Sequence, residues 1–150
     1  MDETSRPRLP IGYWLKRADQ LITERIDEVQ RVNGLNRSEW QILHTLEESS
    51  SASTQQLIEL LQPFRTQEEV VSILQQLNER GLIQFEDSDG TRQCRLTSQG
   101  KSLHETAFSQ QQKIRRQAVA GIRPEDYETT IRVLQQIVGN LEHWESGTSL

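Results

Sequence analysis

Apolar residues recur along most of this chain at intervals of three and four, and one stretch breaks into strict alternation. Over residues 10–33, Leu15, Ala18, Ile22, Ile26, Val29 and Val32 mark the buried face of a long helix that opens at Pro10 and stops near Gly34. Trp14 and Leu21 widen that face. Asn36 and Glu39 signal a second helix, whose inward stripe is Trp40, Leu43 and Leu46. Ser49-Ser50-Ser51-Ala52 reads as a connector. Ser53 with Gln56, and Thr66 with Glu69, are two further capping boxes that open short helices. Leu57, Leu60 and Leu61 line the first, and Val70, Ile73, Leu74 and Leu77 the second. Pro63 separates them, because it cannot donate to a helical ladder, and Gly81 ends the second. Ile83-Gln84-Phe85-Glu86 and Arg92-Gln93-Cys94-Arg95-Leu96 alternate at period two about a turn at residues 87–91. Leu103, Ala107, Ile114, Ala118 and Ile122 predict another long helix over residues 98–121, with a solvated middle at Gln110-Gln111-Gln112-Lys113. Pro124, followed by Glu125 and Asp126, opens a last helix carrying Tyr127, Ile131, Leu134, Ile137, Val138, Leu141 and Trp144.

A helix, a tight turn, a second helix and a two-stranded ribbon make a winged helix-turn-helix, whose second helix can lie in a DNA major groove. The expected fold class is mainly α with a small β-wing. The run Leu74-Gln75-Gln76-Leu77-Asn78-Glu79-Arg80-Gly81-Leu82-Ile83 resembles the end of the recognition helix in the MarR family of bacterial transcription regulators. Leu96-Thr97-Ser98-Gln99-Gly100 resembles the Leu-Thr-x-x-Gly that follows the wing in that family. Residues 12–18 and 34–43 resemble family positions upstream, so the likeness runs in the family's order over residues 10–143.

The helices at residues 10–33 and 98–145 present more apolar face than the winged-helix residues can cover. The physical solution is packing on each other and on a second copy. The resemblance implies the same arrangement: one domain over residues 10–143, with a winged lobe at 36–97, a two-fold dimer through the terminal helices, and flexible tails at 1–9 and 146–150. A two-fold dimer suits a pseudo-palindromic double-stranded DNA site.

Composition sharpens this picture in two ways. The single cysteine excludes an internal disulfide framework and suits a reducing compartment. No apolar run is long enough for a membrane span, and the first residues lack the basic and apolar regions of a secretory signal, so a cytoplasmic location is expected. Charge works against nucleic acid. The chain carries a net −5, and residues 53–97 hold four arginines against seven acids. Phosphate neutralisation dominates DNA affinity, so position must matter more than the sum. Arg65 and Thr66 stand at the start of the recognition helix, Arg92 and Arg95 lie on the ribbon, and Arg37 opens the second helix. MarR relatives place a wing arginine in the minor groove, a role for which Arg92 is the candidate. Gln67, Ser72, Gln75 and Gln76 are neutral donors and acceptors on the outer face of the recognition helix, suited to reading base edges. Glu68 departs from the small or basic residue usual in the family. The acidic lobe motivates an alternative: a winged helix that has lost strong DNA binding and acts through another protein.

Catalytic chemistry finds no constellation here. His44, His104 and His143 fall on three different predicted helices and read as surface or pocket-wall residues. Asp87-Ser88-Asp89-Gly90 resembles the start of a calcium loop but lacks the later bidentate glutamate. No cofactor and no metal is expected, and Cys94 reads as buried and inert. The MarR resemblance implies aromatic or phenolic effectors between the dimer helices and the winged lobe. Tyr13, Trp14, Arg17, Trp40 and His44 are the residues of the first two helices that suit such a cleft.

Overall fold

The computed structural model describes residues 8–145. The expected tail at 146–150, and residues 1–7 of the other, lie outside them. The elements in order are α1 (Ile11–Val32), α2 (Arg37–Ser49), β1 (Ala52–Ser53), α3 (Thr54–Leu61), α4 (Gln67–Glu79), β2 (Ile83–Ser88), β3 (Thr91–Leu96), α5 (Ser98–Ala118) and α6 (Pro124–Glu142). This is a mainly helical winged helix-turn-helix with a small antiparallel sheet and flanking helices. Two compact units divide the chain, the division falling inside α5 between Ile114 and Arg115.

All three capping boxes form as the side chains dictate. Asn36 accepts from the Glu39 amide, Ser53 from Gln56 and Thr66 from Glu69, and each third residue returns a bond to the cap's own N–H. Each such cap stabilises its helix by about 1 kcal/mol. Between these ends lies one apolar core. Ile42, Leu43 and Leu46 from α2, Leu57 and Leu61 from α3, Val70, Leu74 and Leu77 from α4, and Ile83 and Cys94 from the sheet are all fully buried. Burying one such leucine or isoleucine is worth roughly 1.5–3 kcal/mol, so this cluster is the main source of the lobe's stability.

The sheet differs from expectation at two places. Ala52, read as the end of a connector, and Ser53, read as the cap of the next helix, form β1 and pair with Cys94 and Gln93 of β3, giving the order β1-β3-β2. Two residues are too short a run for alternation to register. The turn is also tighter than residues 87–91. Asp89 and Gly90 both take positive φ, at 51° and 75°, and alone connect Ser88 to Thr91. That is the two-residue hairpin turn whose twist matches its strands, and Asp-Gly is a preferred pair for it.

The flanking helices differ in what they cover. In α1 the first half buries nothing: Ile11, Trp14, Leu15 and Ile22 are exposed, Ile26 and Val29 are half-buried, and Val32 is 76 % exposed. The residue of α1 that is buried is Gln30. The expected buried stripe is therefore exposed at Leu15, Ala18, Ile22 and Val32, and α1 joins the lobe through Asp27 and Gln30. Asp27 pairs with Arg37, and the Gln30 carbonyl accepts from the Leu35 amide at 2.8 Å. In α5 the solvated middle holds at Gln110 and Lys113 and is corrected at Gln111, which is buried. His104, Ala107 and Gln111 share one buried face at i, i+3 and i+7, and among the described residues Nε2 of Gln111 has no partner. In α6 no residue is buried, and Tyr127, Ile131, Val138 and Leu141 are exposed; the helix ends at Glu142, so Trp144, expected on it, lies beyond its end and is also exposed. Among the described residues no helix is long and apolar enough to cross a membrane.

Candidate nucleic-acid interface

The second helix of the helix-turn-helix, α4, is anchored by Val70, Leu74 and Leu77, and this decides what its other face presents. Glu68, Ser72, Gln75 and Gln76, at i, i+4, i+7 and i+8, are exposed, as are Gln67 and Val71. Thr54, Val71, Gln75, Asn78, Phe85 and Arg92 border a groove of about 180 Å³ between this face and the wing. Thr66 is committed to its cap, where its hydroxyl accepts from the Glu69 amide at 3.2 Å.

The wing positions Arg92 through its turn. The Asp89-Gly90 connection pairs Asp87 with Arg92 and Phe85 with Cys94, so Phe85 and Arg92 are diagonal neighbours across the hairpin. The Arg92 guanidinium lies 4.1 Å above the Phe85 ring, a cation–π contact that holds the arginine at the groove. Sequence reasoning named Arg92 but not Phe85 or Asn78, which border the same groove. The hairpin register would have found the phenylalanine. Asn78 donates to the Ile83 carbonyl at 3.1 Å and so ties α4 to β2.

The other lobe arginines are each held by a carboxylate. Arg37 binds Asp27 through two bonds of 2.8 Å, which hold the Asp27 carboxyl below its usual range. Arg65 donates to Glu69 at 3.2 Å and to the Ser38 hydroxyl at 3.0 Å, and Glu69 is likewise held low. Arg80 grips Glu39 at 2.6 Å and the Gly34 carbonyl at 2.9 Å. Arg95 lies 3.5 Å from Glu86. Among the described residues of the lobe, Arg92 is the arginine without a carboxylate partner. Among the described residues Glu68, Asp87 and Asp89 enter no ion pair, so the outer start of α4 and the wing turn carry negative charge.

The five effector candidates fall into two groups. Tyr13 meets Trp14 edge-on at 5.0 Å, and Arg17 reaches Gln20 at 3.4 Å. Trp40 and His44 stack together, and they do so against His104 and Phe108 of α5. Among the described residues no ring contact joins the two groups. The reading of the histidines as surface or pocket-wall residues is corrected for His104, which is buried, with its Nε2 3.0 Å from Nδ1 of His44. The overlooked signal was two ring pairs at i, i+4, Trp40/His44 and His104/Phe108, on helices that meet. Among the described residues no group of three His, Cys, Asp or Glu side chains could hold a metal ion. Cys94 is fully buried, and burial pushes its thiol pKa up, which keeps it a poor nucleophile.

No family profile matches the sequence, and no curated protein matches it either. Solved structures do. MepR, a transcription regulator of the Staphylococcus aureus multidrug efflux pump MepA, aligns over 89 % of this chain and 99 % of its own at 18 % identity, with a TM-score of 0.76. A probable transcriptional regulator from Pseudomonas aeruginosa is 26 % identical over 85 % of this chain and 96 % of its own, with a TM-score of 0.63. BpsR of Bordetella bronchiseptica, whose DNA binding is regulated by 6-hydroxynicotinic acid, aligns over 91 % and 97 % at 17 % identity and a TM-score of 0.63. The chain has the fold of the MarR-type winged helix-turn-helix regulators.

Proposed function

We propose that this protein is a sequence-specific DNA-binding transcription regulator that works as a homodimer. The observation that carries the reading is the outer face of α4. It offers Gln67, Ser72, Gln75 and Gln76 to solvent beside a wing whose Arg92 is held over Phe85 without a carboxylate partner. Glutamine can bond an adenine edge through two atoms, and such a pair discriminates by roughly 1–3 kcal/mol. Few cations stand ready for phosphate, so base reading must carry an unusual share of the binding.

A shallow salt dependence follows. Log K falls by about 0.9 for each phosphate neutralised, so a dimer relying on Arg92 and on arginines drawn from their carboxylates should show a small slope. Arg92→Ala should weaken binding to all duplexes and lower the slope by about one per lost contact. Glu68→Gln should raise affinity for random duplex more than for a selected site. Duplexes selected from genomic fragments, titrated at two salt concentrations against wild type and both variants, measure all three quantities. Failure to retain any fragment at low salt, even with Glu68→Gln, would reject the DNA reading. The pairing of Arg37, Arg65, Arg80 and Arg95 with carboxylates favours a second reading in that case, a winged helix that acts through another protein.

An aromatic acid is the proposed effector class, with Tyr13, Trp14 and Arg17 of α1 and Trp40 and His44 of α2 as its contacts. The exposed rings of Tyr13 and Trp14 and the nearby Arg17 guanidinium support it, and BpsR offers a precedent in 6-hydroxynicotinic acid. Aromatic carboxylates should quench tryptophan fluorescence saturably in wild type and not in Arg17→Ala. Linear, unsaturable quenching in both proteins would exclude the site.

A further inference from the structure

The column Trp40, His44, His104 and Phe108 joins α2, whose Ile42, Leu43 and Leu46 lie in the lobe core, to α5, the helix that leaves it. Trp40 and His104 are parallel within 1° at 4.8 Å, and His104 and Phe108 lie within 15° at 5.7 Å. The ring planes of this column are therefore nearly parallel, and His44 and His104 meet edge to edge, with centroids 5.2 Å apart and planes within 18°. Within the column, Nδ1 of His44 and Nε2 of His104 approach to 3.0 Å, and Nε2 of His44 reaches Glu48 at 3.2 Å. We propose that this histidine pair is a proton-operated latch between α2 and α5: it closes when the pair is neutral or carries one added proton, and opens when it takes a second.

Counting protons gives the two states. Two neutral imidazoles place one hydrogen in the gap between Nδ1 and Nε2, as a hydrogen bond requires. A first added proton is accommodated, because His44 then donates through Nδ1 to His104 and through Nε2 to Glu48. A second added proton must go to Nε2 of His104. Two N–H groups then face each other where one hydrogen bond stood, and two positive charges lie side by side.

The surroundings make that second step costly. His104 is 6 % exposed, and its pKa is pushed below the ordinary 6.5 first by burial and then by His44. Glu47 and Glu48 of α2 pull it the other way. Lys101 and Glu105, its charged neighbours on α5, are exposed, and α1 meets α5 through the neutral Asn33–Gln110 amide pair at 2.7 Å. A histidine with a lowered folded pKa favours the unfolded or opened state wherever that state binds more protons. The closed latch is thus fully stable above about pH 6.5 and weakens as pH falls below that value. This device belongs to the fold and operates whatever the lobe binds.

Imidazole NMR of the full-length protein, with amide hydrogen exchange, tests the latch. In wild type the His44–His104 pair should titrate in two steps separated by more than about one pH unit. In His104→Phe, which keeps a ring in the column, His44 should titrate in a single step. Protection of amides in residues 98–112, relative to α4 and corrected for intrinsic rates, should drop at least roughly tenfold between about pH 7.5 and about pH 5 in wild type and stay constant in the variant. His44→Phe removes the pair from the other side and serves if His104→Phe does not fold. Independent one-step titrations of both histidines in wild type would overturn the proposal. So would unchanged protection, or an equal loss of protection in wild type and variant.

Discussion

Gly100→Ala is expected to lower the stability of the protein by at least about 3 kcal/mol, the upper range of an overpacking substitution. A Cβ at residue 100 would stand 2.0 Å from the Leu82 carbonyl oxygen and 3.0 Å from its carbon. Those atoms are backbone and cannot swing aside. The same oxygen already accepts from the Thr97 amide at 3.1 Å, so moving Leu82 breaks a bond as well. Thr97 completes the knot. Its hydroxyl donates to the Gly81 carbonyl at 2.6 Å and accepts from the Gly100 amide at 3.0 Å. The Leu-Thr-x-x-Gly motif therefore has a mechanical meaning: threonine caps α5 and glycine lets the helix start against the end of α4. Urea unfolding of the full chain measures the effect. Thr97→Val, which keeps the shape and loses both bonds, should cost about 1–2 kcal/mol in the same experiment. A loss below about 1 kcal/mol for Gly100→Ala would show that the two segments separate freely and that the knot is not structural.

The second large effect concerns assembly. Full-length protein is expected to sediment as a dimer at micromolar concentration. Truncation after Gly121, which deletes α6, should leave a monomeric or insoluble chain. The reason is the uncovered face: α6 buries no residue, yet it exposes Tyr127, Ile131, Val138 and Leu141. α1 similarly exposes Ile11, Trp14, Leu15 and Ile22. Exposed apolar faces of this length mark an interface. Two half-sites bound by one dimer gain from effective concentration, so a soluble monomer should lose about 10²–10⁴-fold in affinity for a two-fold site. Val138→Glu combined with Leu141→Glu keeps the helix and tests the face alone. A stable full-length monomer at micromolar concentration would remove the dimer from the proposed function.

Much of this was legible in the order of residues because the signals were local. A capping box spans four residues, an amphipathic stripe repeats within two turns, and a proline or a left-handed glycine acts where it stands. Such signals placed α1, α2, α3, α4 and α6 within a residue or two of the helices found. They failed where a short element drew its stability from a distant partner. Ala52 and Ser53 are a strand only because β3 lies beside them.

What the sequence determined by itself was therefore the set of elements, their order, and the outward face of α4, since each depends on periodicity and caps over a few residues. Tertiary structure alone decided which charges are available. Asp27 meets Arg37 across ten positions and Glu39 meets Arg80 across 41, and no local pattern announces either pair. It alone decided that Gln111 is buried, with no partner for its Nε2 among the described residues, and that His44 and His104, 60 positions apart, share a contact of 3.0 Å. Periodicity reports which way a side chain points along its own element. What waits there is set by how elements pack, and for charged and titratable groups that neighbour decides the chemistry.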